Sequence, residues 1–95
     1  MTNKYEMMVI LDSSMGEEAL NALTETVKAK VESGATIDSM DVLGNKKLAY
    51  EINYRSEGYY LQFNFSAEPA FPKEIERVLR ITEGVLRFLV VRVEE

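Results

Sequence analysis

Apolar positions recur along this chain with two periods, and the switches between them predict its elements. Residues 5–11 are rich in β-formers and apolar on both faces. Tyr5, Met7, Val9 and Leu11 fall on one side of an extended chain, and Glu6, Met8 and Ile10 on the other. That pattern predicts a central strand. The period then lengthens: Leu20, Leu23, Val27 and Val31 recur at helical spacing and predict a helix to about Ser33, with Gly34 as its stop. Ser14 and Glu17, three residues apart, predict a capping box at its start.

The two-residue period returns over 35–52, carried by Ile37, Met40, Val42, Leu48, Tyr50 and Ile52. Its phase changes between Ile37 and Val42, and Gly44 lies just beyond, so a long strand with a bend or bulge near that glycine is expected. Residues 53–58 read as a turn. In residues 59–65, Leu61, Phe63 and Phe65 oppose Tyr60, Gln62 and Asn64, which predicts the second arm of an antiparallel hairpin. Pro72 suits the first turn of a second helix, Ile75, Val78 and Leu79 give it a narrow apolar face, and Thr82-Glu83-Gly84 ends it. Residues 85–93 form a last strand, with Leu86, Phe88 and Val90 opposite Arg87, Leu89, Val91 and Val93.

The order is β-α-β-β-α-β, with no linker or repeat, and residues 1–95 read as a single domain. Right-handed crossovers place both helices on one face of a four-stranded antiparallel sheet. This is the ferredoxin-like plait, an α+β fold with expected strand order 4-1-3-2. Its other face is left open. Met8, Ile10, Tyr60, Leu89 and Val91 should point there, flanked by Glu6, Gln62, Asn64 and Arg87. An exposed apolar patch of this kind marks a partner.

Composition narrows the chemistry. A chain of 95 residues that is 46% hydrophobic can bury one core. Without cysteine or histidine it has no disulfide, no thiolate or imidazole metal site and no histidine-based triad. No cofactor, metal or small-molecule substrate is expected. No apolar run approaches 18 residues, and Asp12 and Glu17 closely follow the short apolar segment at 7–11. No membrane association is therefore expected, and the cytoplasm is the expected compartment.

The net charge of −5 is uneven: residues 1–41 hold three Lys/Arg against eight Asp/Glu, and residues 42–95 hold eight of each. An acidic total argues against broad, non-specific nucleic-acid binding and leaves room for a local basic patch. Lys46 and Lys47 stand beside Gly44, where backbone could approach a phosphate. Arg55 lies in the hairpin turn, and Lys73, Arg77, Arg80, Arg87 and Arg92 come from the second helix and last strand. Arg77 and Arg80 share a helix face. For any one of these cations the alternative is a solvated side chain in a local ion pair. The carboxylates have no accompanying nucleophile, and Gly44-Asn45-Lys46-Lys47 lacks the spacing of a P-loop, so catalysis is not expected.

Several segments together resemble the bacterial small-subunit ribosomal protein six family. They are Tyr5-Glu6 before an apolar strand, Gly44-x-Lys46-Lys47-Leu48-Ala49-Tyr50-x-Ile52, Gly58-Tyr59-Tyr60, Leu79-Arg80-Ile81, and Gly84-Val85 with Arg87 before Val90-Val91-Arg92. Glu51 departs from the pattern, since many relatives have proline there. The resemblance implies a non-enzymatic role in the small ribosomal subunit, as a heterodimer with ribosomal protein eighteen bound to small-subunit rRNA. By position it implies Lys46 and Lys47 as RNA contacts, with Arg80, Arg87 and Lys4 as further candidates. The patch of Met8, Ile10, Tyr60, Leu89 and Val91 becomes the expected protein-partner face. A self-associating or ligand-sensing plait module is the alternative from another class.

Overall fold

The protein is described by a computed structural model over residues 2–52 and 55–93, with the side chains of all of these except 48–52, 55 and 56. Its elements are β1 (Asn3–Leu11), α1 (Glu17–Glu32), β2 (Ala35–Ile52), β3 (Arg55–Ala67), α2 (Phe71–Arg80) and β4 (Val85–Arg92), with a 3-10 turn over Ser13–Met15. The strands form one antiparallel sheet in the order β2-β3-β1-β4, the expected order read from the other edge.

Alternation decides what each strand buries. Tyr5, Met7, Val9 and Leu11 of β1 and Leu61, Phe63, Phe65 and Ala67 of β3 enter the core. They meet the apolar stripes of α1 (Leu20, Leu23, Val27, Val31) and α2 (Ile75, Leu79). Burying each of the large side chains contributes about 1.5–3 kcal/mol. Tyr5 and Phe65 are cross-strand partners whose rings stack at 5.6 Å, and Phe71 meets Phe65 edge-on at 5.8 Å. Among the described residues Thr24 is the buried polar side chain, and its hydroxyl donates to the carbonyl of Leu20 at 2.7 Å. Both helices therefore cover one sheet face, and the other is free of helix.

Two local expectations are corrected. The capping box does not form: the Asp12 carboxylate accepts from the backbone N–H of Ser14 (3.0 Å) and from its hydroxyl (2.6 Å). Ser14 is thereby committed to the 3-10 turn. The residue before α1 is Gly16 at φ 92°, with no side-chain cap. Glu17 and Glu18 in the first turn face the positive end of the helix dipole instead.

The second correction concerns the hairpin. β3 begins at Arg55 rather than Tyr59. β1 runs beside β3 only from Tyr59 to Ala67. Past that point β2 and β3 continue as a two-stranded ribbon, through Lys46 opposite Gly58, Lys47 opposite Glu57 and Ile52 opposite Arg55. Ladder hydrogen bonds hold this ribbon where no third strand flanks it. The expected irregularity at Gly44 is present. The register shifts between Val42 and Gly44, and Gly44 has φ 86°, a conformation glycine adopts without strain. A second shift falls between Ile37 and Ser39. The side chains of Leu48, Tyr50, Glu51 and Ile52 lie outside the described residues.

Candidate nucleic-acid interface

The registers turn the open face into an ordered grid. Its first row runs Gly44, Tyr60, Ile10, Arg87, one residue from each strand. The second runs Asp41, Gln62, Met8, Leu89, and the third Ser39, Asn64, Glu6, Val91. The fourth holds Thr36, Ser66 and Lys4. Met8, Ile10, Tyr60, Leu89 and Val91 therefore all lie on the open face. Met8, Ile10 and Tyr60 are half-buried, while Leu89 and Val91 are 64% and 45% exposed.

Polar links knit the rest of this face. Gln62 donates to Glu6 at 2.8 Å, Asn64 to Ser39 at 2.9 Å and Ser66 to Asp38 at 2.8 Å. Asp38 is the bulged residue, and the bulge lets its carboxylate reach Ser66. Asp38 and Asp41 are both acids of β2. With Glu6 they make the far rows of the open face acidic.

The candidate cations are not brought together. Lys46 pairs with Gly58 and lies on the open face, one step past the Gly44–Tyr60 row. Lys47, its neighbour, points to the helix side opposite Glu57, whose carboxylate accepts from Asn45 at 2.9 Å. Arg87 ends the first row on the opposite edge and is exposed. Lys4 lies opposite Ser66, eight residues along β3 from the row of Lys46. At 3.3 Å per residue that separates them by about 26 Å. Arg80 is the exposed last residue of α2, in the helical layer. So Lys46 and Arg87 flank one end of the open face, and Lys4 lies at the other.

Elsewhere the surface carries little chemistry. On α2, Arg77 donates to Glu74 three residues back. That hydrogen bond holds the Glu74 carboxyl below its ordinary range and raises the Arg77 guanidinium. On the helix side an open cleft of about 350 Å³ is lined by Ser13, Glu17, Leu20, Asn21, Asn45 and Tyr59. Among the described residues no three acidic side chains gather as metal ligands, and no helix is long and apolar enough to cross a membrane.

Comparison with known proteins places this grid in a family. The family model of ribosomal protein S6 matches residues 4–92. The chain belongs to the ribosomal protein S6 family. It is 44% identical over 93 residues to the small ribosomal subunit protein bS6 of Alkaliphilus metalliredigens, covering 98% of this chain and 99% of that one. It is 48% identical over 92 residues to the bS6 protein of Clostridium novyi, covering 96% and 97%. The crystal structure of 30S ribosomal protein S6 from Thermotoga maritima superposes with a TM-score of 0.91 at 30% identity, over 98% of this chain and 89% of that one. Membership in the S6 family makes the chain a small-subunit ribosomal protein of the cytoplasm, a structural component and not an enzyme.

Proposed function

We propose that the chain binds small-subunit rRNA jointly with ribosomal protein eighteen. The partner docks on the open face over Met8, Ile10, Leu89 and Val91, with Tyr60 at the border of that patch. RNA meets the hairpin end of the same face, with Lys46 and Arg87 as its main phosphate contacts. Lys47, Arg80 and Lys4 are outlying contacts on the same RNA. The observation that carries this reading is one helix-free face with Lys46 and Arg87 at its hairpin end and the exposed apolar Leu89 and Val91 along its β4 edge. A chain of net charge −5 gains little from phosphate attraction alone, so a basic partner completes the surface.

The test is a gel shift of the two-protein complex on a central-domain rRNA fragment across salt concentrations. Lys46→Glu should weaken binding and lower the salt slope by about 1. Lys47→Glu, facing Glu57, should do less. If a variant carrying both Lys46→Glu and Lys47→Glu bound as tightly as the parent, the lysine assignment would be wrong.

A further inference from the structure

We infer that Tyr60 is a stacking platform for one unpaired nucleobase of the bound RNA; this deepens the proposed rRNA reading and rests on it. Three placements converge on that ring. Its cross-strand neighbour on the β2 side is Gly44, which has no side chain, and a Cβ built there would meet nothing within 4 Å. The space beside the ring on that side is therefore open. Lys46 lies diagonally across the ladder from Tyr60 on the same face, and Arg87 ends the same row two strands away. Those offsets put the two cations about 8 Å and 10 Å from Tyr60 at the backbone. Long cationic side chains at such distances can reach the phosphates on either side of a base laid against the ring.

Charge also fixes where the strand can run. Asp41, Glu6 and Asp38 lie in the rows on the far side of Tyr60. Those acids repel phosphates, so the stretch of backbone beside the ring passes across the hairpin end from Lys46 toward Arg87, and Lys4 in the fourth row meets a separate part of the RNA. The protein contact proposed above takes Leu89 and Val91 on the β4 edge with Met8 and Ile10 on β1, which leaves the β2 side of the Tyr60 ring to RNA. A ring with open space on one side and cations on both flanks suits a nucleobase, because every base has a π-face and a neighbouring phosphate.

The test uses the complex with ribosomal protein eighteen and a central-domain rRNA fragment at fixed salt. Tyr60→Phe should keep the affinity within about three-fold, whereas Tyr60→Leu should lose roughly 5- to 100-fold. The chain has no tryptophan, so Tyr60→Trp gives it a single indole at this site. Its emission in the preformed complex should be quenched on RNA addition. An unquenched indole, or a Tyr60→Leu complex that binds RNA like the parent, overturns the platform and leaves the rRNA reading standing. If Tyr60→Leu instead loses the protein partner on size exclusion before any RNA is added, Tyr60 belongs to the protein contact and the platform is again overturned. A parent complex with no rRNA affinity removes both.

Discussion

Replacing Gly84 by alanine tests how the turn into β4 is fixed. Gly84 has φ 94°, and its carbonyl accepts from Asp12 N–H at 2.8 Å, tying the end of β1 to the start of β4. An added Cβ would sit 2.7 Å from Leu23 Cδ2 and 3.0 Å from Met15 Sδ. A left-handed non-glycine residue costs about 1–2 kcal/mol. Carbon contacts prefer about 3.5–4.0 Å, so Leu23 in the core must yield by about 1 Å, an overpacking cost of about 1–3 kcal/mol. Together Gly84→Ala should lose about 2–5 kcal/mol. Gly44→Ala is the matched control: its φ is 86°, but the added atom meets nothing within 4 Å, so only the backbone part, about 1–2 kcal/mol, applies. Urea unfolding followed by circular dichroism reads the difference, with the midpoint of Gly84→Ala falling on the order of 1 M below that of Gly44→Ala at unchanged slope. Equal midpoints would show that the contact with Leu23 relaxes freely and that packing plays no part at this turn.

Three other outcomes are expected. Phe63→Ala, at a fully buried position in the middle of β3, should cost about 3–5 kcal/mol, read as a fall in the thermal midpoint of roughly 12–40 °C. Leu89→Asp places a charge in the most exposed part of the apolar patch; it should leave folding intact and abolish co-elution with ribosomal protein eighteen, and an intact heterodimer would move the interface elsewhere. Glu74→Gln removes the partner of Arg77. Because the Glu74 carboxyl is lowered in the folded state, its pairing stabilises above the ordinary carboxylate range and is lost as pH falls through the lowered value. The variant should therefore differ from the parent near neutral pH and converge with it in acid, by an amount in keeping with a surface pair.

Burial explains which features were legible in the sequence. The strands and helices around Val9, Phe63, Val27 and Leu79 were readable because each buries one face, and burial imposes a period. The start of β3 was missed for the converse reason. Residues around Glu57 and Gly58 pair only with β2, so no apolar alternation records their strand. The capping box failed because Asp12, two residues before Ser14, competes for the same hydroxyl and N–H. At the site, the opposite facing of Lys46 and Lys47 follows from alternation alone and was available from the start. The pairing of Tyr60 with Gly44 was not, because two shifts in the β2 register decide which of its residues stands beside Tyr60.

The position of β1 also has a consequence for synthesis. It is the first strand made, yet it lies between β3 and β4, and its far edge is closed by the β4 ladder, which Val93 N–H to the carbonyl of Lys4 extends. At about 5–20 residues per second, roughly 4–16 s pass between the appearance of β1 and that of β4. Throughout that interval the edge of β1 that β4 will cover stays unpaired, whereas its other edge can already pair with β3. Completion of the sheet therefore waits for β4, the last of its four strands to be made.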